Sequence, residues 1–70
     1  MKKEPLTKRQ AQVLSFIKKF MVVNGYPPSV TDICKKLDLW PNGAFQHLHL
    51  IAKKGYIRRV PNTARGIVIL

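Results

Sequence analysis

Between Ser29 and Gly55 two amphipathic segments are separated by only Asp38–Leu39–Trp40 and a proline. A proline here ends the first segment and suits the first turn of the next, where its missing N–H costs nothing. This spacing predicts a short helix, an abrupt turn and a second helix closed by Gly55. In the second segment Ala44, Leu48, Ile51 and Ala52 recur at i, i+4, i+7 and i+8, as one helix face requires. Stepping ~100° per residue gathers Asn42, Gln46, His49 and Lys53 on the opposite face. Amides, an imidazole and an ammonium in one stripe can hydrogen-bond base edges and meet a phosphate at the rim. One polar face alone is also what any amphipathic helix shows, so the rest of the chain decides what it means.

Upstream, Leu6–Thr7 opens a first helix. Thr7 can cap the amide of Gln10 while Gln10 reaches back, and Leu6 with Ala11 sits where a hydrophobic staple forms. Val13, Leu14, Ile17, Phe20 and Met21 supply its apolar face, and Asn24–Gly25 ends it. Tyr26–Pro27–Pro28 is extended, because each proline pushes its predecessor out of the α region. Ser29 with Asp32 repeats the capping pattern and starts the second helix. Val30, Ile33, Cys34 and Leu37 form that helix's buried face, so Cys34 reads as a small core residue. Trp40 falls at the N-cap of the third helix without an acceptor, which predicts Asn42 as the cap of a slightly later start. Trp40 itself reads as a packing residue of the turn, with a phosphate contact through its indole N–H as the lesser alternative.

Beyond Gly55, Tyr56–Val60 and Ile67–Leu70 are β-branched and apolar around the six-residue loop Pro61–Gly66, the pattern of a β-hairpin. The expected architecture is mainly α with a small hairpin. It is a single winged helix-turn-helix domain over residues 1–70, with helices at about 7–24, 30–38 and 41–54 and a wing at about 56–70.

Charge supports a polyanionic partner. Thirteen Lys and Arg oppose only Glu4, Asp32 and Asp38, a formal charge of +10. Such an excess opposes folding by self-repulsion and attracts nucleic acid. The basic residues are scattered, so this is no basic tail. An apolar content of 46% suffices for a compact core. A lone cysteine argues for a reducing compartment. No apolar run approaches the ~20 residues of a membrane span, and no signal-peptide core follows Met1–Lys2–Lys3. Cytoplasmic location follows as the default.

The chain resembles a known family, the amino-terminal DNA-binding domain of LexA-type repressors. Leu6–Thr7–Lys8–Arg9–Gln10, Gly25–Tyr26–Pro27–Pro28–Ser29, and Ile33 with Leu37 carry the first half of the resemblance. Pro41–Asn42–Gly43–Ala44, His47–Leu48, Lys54–Gly55–Tyr56–Ile57 and Ala64–Arg65–Gly66–Ile67 carry the second. The Gly-x-Pro-Pro-Ser step and the final Arg-Gly-Ile are the specific parts.

The resemblance implies a repressor domain, of bacterial, phage or plasmid origin, whose third helix enters the major groove of an operator half-site. Its base-reading positions fall on Asn42, Gly43, Phe45 and Gln46, and its wing arginine on Arg65. Two departures stand out. The turn before Pro41 is one residue shorter and lacks the usual Ser, with Trp40 beside the gap. Phe45 and Gln46 stand where the family often carries two acidic residues, which sets this chain apart from the pattern of the typical SOS operator. The linker, self-cleavage site and Ser–Lys protease domain of full-length LexA have no counterpart among these residues.

Residue by residue, Gln46 suits a paired contact to adenine, and Asn42 either the same contact or a phosphate. Phe45 lies beside the polar stripe and suits a thymine methyl or the edge of the core equally. His49 faces solvent or DNA, while His47 is expected half-buried. Lys53, Arg58, Arg59 and Arg65 are phosphate candidates; Lys18 and Lys19 are solvated. The two histidines point apart, so no metal site, cofactor or catalytic constellation is expected, and the chain is not read as an enzyme. The expected partner is a double-stranded DNA operator. Because one winged helix covers one half-site, weak binding alone or pairing of two copies on DNA is expected. The competing function class is a protein-interaction module, of the anti-repressor or polymerase-modulator kind, gripping a partner through Trp40, Phe45 and Leu50.

Overall fold

A computed structural model describes residues 4–63 and 65–70. Readings that touch residues 1–3 and Ala64 therefore lie outside the described residues. Three helices, α1 (Lys8–Asn24), α2 (Val30–Leu37) and α3 (Pro41–Lys53), are followed by strands β1 (Ile57–Arg59) and β2 (Ile67–Ile69). The strands pair antiparallel, Ile57 opposite Ile69, Arg58 opposite Val68 and Arg59 opposite Ile67. This is the expected winged helix-turn-helix.

The helix starts follow from their caps. In α1 the Thr7 Oγ1 accepts from the Gln10 N–H at 3.2 Å, and Gln10 Oε1 accepts from the Thr7 N–H at 3.1 Å. In α2 Ser29 and Asp32 form the same reciprocal pair, at 3.2 and 3.0 Å. Each such exchange satisfies two amides that the first turn would otherwise orphan. Gly25 ends α1 in the left-handed region, at φ 79°. Asp38 does the same for α2 at φ 54°, a conformation that Asp tolerates better than most non-glycine residues.

Val13, Leu14 and Ile17 from α1, Ile33 from α2, Ala44, Leu48 and Ile51 from α3, and Ile57 and Ile67 from the hairpin form one buried cluster. The centres of the expected faces are buried, while Met21 and Ala52 pack half-buried at their edges; Phe20, expected in the core, lies outside it against Phe16 and Tyr26. Cys34, Leu37 and Val30 pack half-buried against this cluster, as does Leu6, whereas Ala11 is exposed. Long-range polar contacts tie the ends together. The buried Gln10 Oε1 also accepts from Lys54 Nζ at 2.7 Å, and that ammonium reaches the Pro5 carbonyl at 2.9 Å. Tyr56 donates to the Glu4 carbonyl at 2.7 Å. Arg9 donates to the Leu37 carbonyl at 2.6 Å and so covers the open end of α2.

Two expectations about the turn are overturned. The third helix begins at Pro41 with Trp40 as its N-cap, in extended conformation and without a side-chain cap, so Asn42 lies inside the first turn and caps nothing. Proline's fixed φ is preorganised for N1, and this sets the start in place of a capping side chain. Trp40 is 85% exposed. It is no packing residue; the short turn throws the indole outward.

Candidate nucleic-acid interface

The buried positions of α3 are Ala44, Leu48 and Ile51. Their geometry turns Asn42, Gln46, His49 and Lys53 to solvent, and all four are exposed. No intrachain hydrogen bond occupies the Asn42 or Gln46 amides among the described residues, so both keep full donor and acceptor capacity. His47 turns the other way. It is half-buried, and its Nδ1 is enclosed without a partner among the described residues.

Gly43 sits half-exposed in the first turn of α3. A Cβ there would meet nothing within 4 Å. The fold thus has no steric need for glycine, which weakens a helix by about 0.5–1 kcal/mol relative to alanine. A backbone left bare toward solvent permits close approach of another molecule. Gly43→Ala is expected to raise the melting temperature slightly while weakening duplex DNA binding. Unchanged affinity in a fluorescence-anisotropy titration would show that this space is not used.

The hairpin borders this face. Arg58 and Arg59 are exposed on β1, and the Arg59 guanidinium stands over the Phe45 ring, 5.3 Å from its centroid. Phe45 is 46% exposed, so it is neither buried in the core nor free of intrachain contact.

Arg65 is placed differently from its neighbours. One guanidinium nitrogen donates to Asp32 Oδ2 at 2.9 Å and to the Pro27 carbonyl at 3.0 Å. Its central carbon lies 4.6 Å from the Tyr26 ring centroid. The sequence marks Arg65 as a phosphate candidate; the structure engages it with the α1–α2 connection and with the cap of α2. Asp32 accepts from both the Ser29 N–H and Arg65. The Ser29 amide has the largest effect, desolvation opposes it, and Arg65 and the Ser29 hydroxyl add to the lowering, so that the carboxyl is held below the usual carboxylate range. Asp32, Pro27 and Tyr26 were not singled out as partners of the wing. The available hint was that Asp32 is one of only three acids in the chain.

Among the described residues no three His, Cys, Asp or Glu side chains gather as a metal site. Nor is any described helix long and apolar enough to cross a membrane.

A polar-faced third helix packed across two others and edged by a basic hairpin defines the winged helix-turn-helix class. Residues 3–66 match the family model of the LexA DNA binding domain, and the chain belongs to that family. It is 50% identical over 68 residues to the LexA repressor of Petrotoga mobilis, covering 96% of this chain and 33% of that protein. It is 47% identical over 64 residues to the LexA repressor of Thermotoga maritima, covering 91% and 32%. The LexA repressor of Pseudomonas chlororaphis is 46% identical over 65 residues, covering 91% and 32%. The chain thus spans about a third of the length of these curated relatives.

Proposed function

We propose that this chain binds double-stranded DNA sequence-specifically and acts in transcriptional repression, with α3 in the major groove of an operator half-site. The observation that carries this reading is the exposed Asn42–Gln46–His49 face of α3 in a chain of the LexA DNA-binding domain family. Gln46 reads adenine through its N6 and N7, Asn42 and His49 lie along the same groove, and Gly43 admits close approach. Lys53 and Arg58 neutralise flanking phosphates, and the exposed Trp40 indole N–H adds a donor beside the uncapped start of α3. The role is binding rather than catalysis, in the cytoplasm, and two copies pair on an operator because each covers one half-site.

The protein-interaction reading finds less support. Its anchors are divided: Trp40 is exposed, but Leu50 is half-buried and Phe45 is covered on one side by Arg59.

Salt dependence and one substitution test the proposal. With Lys53, Arg58 and further exposed cations together neutralising about five phosphates, log K against log salt should fall with a slope near −4 to −5. Gln46→Ala should erase a preference of about 1–3 kcal/mol at one base pair and leave the others intact. A flat salt response with duplex DNA would sink the proposal. A uniform loss across all sites would remove Gln46 from the reading set.

A further inference from the structure

The contact between Arg59 and Phe45 joins the wing to the reading helix, at a point where neither side chain serves the core. Phe45 precedes Gln46 on α3, and its half-exposed ring lies at the edge of the polar stripe. A ring with nearly half its surface in water is free to hold a cation at the edge of the stripe. What it holds is Arg59, whose guanidinium stands 5.3 Å from the ring centroid.

Attraction to the ring takes up none of the Arg59 N–H donors in a hydrogen bond, and among the described residues no hydrogen bond engages them. Among the described residues the arginine–carboxylate pair of the hairpin is made by Arg65, so Arg59 keeps its fork of donors. An unrestrained arginine would lose much rotamer freedom on binding; one already resting on a ring loses less. A fixed planar fork fits two acceptors held at fixed spacing, and guanine presents O6 and N7 in that way in the major groove. A phosphate at the rim needs no such restraint, since a mobile Lys53 suffices.

We infer that Phe45 and Arg59 form a composite reader, in which the Phe45 ring pins Arg59 to donate both N–H bonds to one guanine beside the base pair read by Gln46. This rests on the DNA-binding reading above and assigns one base of the site. Arg59 becomes a base-reading residue instead of a phosphate contact, and Phe45 becomes its positioning residue.

The experiment begins by selecting a preferred duplex from random sequences with the unaltered chain. Every single base-pair substitution of that duplex is then titrated against the chain and against Arg59→Ala, Arg59→Lys, Phe45→Leu and the double variant Phe45→Leu/Arg59→Ala, with circular dichroism confirming that each is folded. Arg59→Ala and Arg59→Lys should each flatten the preference at one G·C pair by about 5- to 150-fold and spare the pair read by Gln46. Phe45→Leu should flatten the same pair, and the double variant should be no worse than Arg59→Ala alone. If Arg59→Ala instead weakens every duplex alike and reduces the salt slope by about 1, Arg59 is a phosphate contact and the inference fails. If Phe45→Leu spares the G·C preference that Arg59→Ala removes, the composite reader fails. A selection that returns no preferred duplex overturns the underlying DNA reading too, and it is recognised before any variant is made.

Discussion

Leu48→Ala is expected to lower the melting temperature by roughly 10–30 °C and to abolish DNA binding at 37 °C, although Leu48 points away from any duplex. Leu48 is fully buried in the middle of α3, within the cluster that Val13, Ile17 and Ile33 share. Truncation there removes the transfer free energy of the lost atoms and leaves a cavity, together about 2–5 kcal/mol. A domain of this size holds only about 4–10 kcal/mol in total, and each kcal/mol shifts its midpoint by roughly 4–8 °C. The net charge of +10 works in the same direction through self-repulsion. Gln46→Ala, two positions away on the exposed face, should change the melting temperature hardly at all. Thermal melts by circular dichroism separate the two. If Leu48→Ala cost less than about 1 kcal/mol, α3 would not be packed as described.

That contrast between positions 46 and 48 is what made the fold readable from the letters. Helix periodicity alone decides which side chains enter the core, and the two capping pairs, Thr7 with Gln10 and Ser29 with Asp32, are local chemistry three residues apart. Gly25 likewise announces its left-handed φ. The letters mislead where local rules disagree with each other. At the start of α3, cap preference favoured Asn42 and proline geometry favoured Pro41, and the fixed φ of proline prevailed. Trp40 followed from that outcome, since a start two residues later, at Gly43, would have taken Trp40 out of the N-cap position. The left-handed Asp38 was equally silent, because Asp marks turns, caps and surfaces alike.

The candidate site divides along the same line. Asn42, Gln46, His49 and Lys53 share a face because of spacing within one helix, so their grouping was legible. The partners of Arg9, Lys54 and Arg65 were not. Those cations reach Leu37, Gln10 and Asp32, separated from them by 28, 44 and 33 residues. Side chains so distant in sequence meet only through the tertiary fold, and a basic residue awaiting phosphate looks the same in a sequence as one tied to a carboxylate. The Arg59–Phe45 contact escaped for that reason too.

Gly66→Ala should disable the wing while leaving the three helices standing, with DNA affinity falling roughly ten-fold or more, equivalent to about 1.4 kcal/mol. A Cβ at position 66 would lie 2.5 Å from the Val60 carbonyl oxygen, 3.0 Å from Thr63 Cβ and 3.1 Å from the Thr63 carbonyl oxygen. Two of these neighbours are backbone, so no side chain can swing aside to relieve the clash. The same glycine closes the hairpin, accepting from the Val60 N–H at 2.8 Å and donating to the Thr63 carbonyl at 3.2 Å. Relief therefore requires the loop to open, at a cost of about 1–3 kcal/mol, and opening it pulls on Arg65 next door and on its hold on Asp32. Arg59 then loses its place against Phe45 of α3. Arg65→Ala should reproduce only part of this, because it frees the wing from α2 without breaking the hairpin bonds. Amide resonances of Ile57–Arg59 and Ile67–Ile69, followed together with far-ultraviolet dichroism and duplex titration, distinguish a lost wing from a lost fold. Wild-type affinity in Gly66→Ala, with those strand resonances collapsed, would show that the hairpin contributes nothing to binding and that α3 carries it alone.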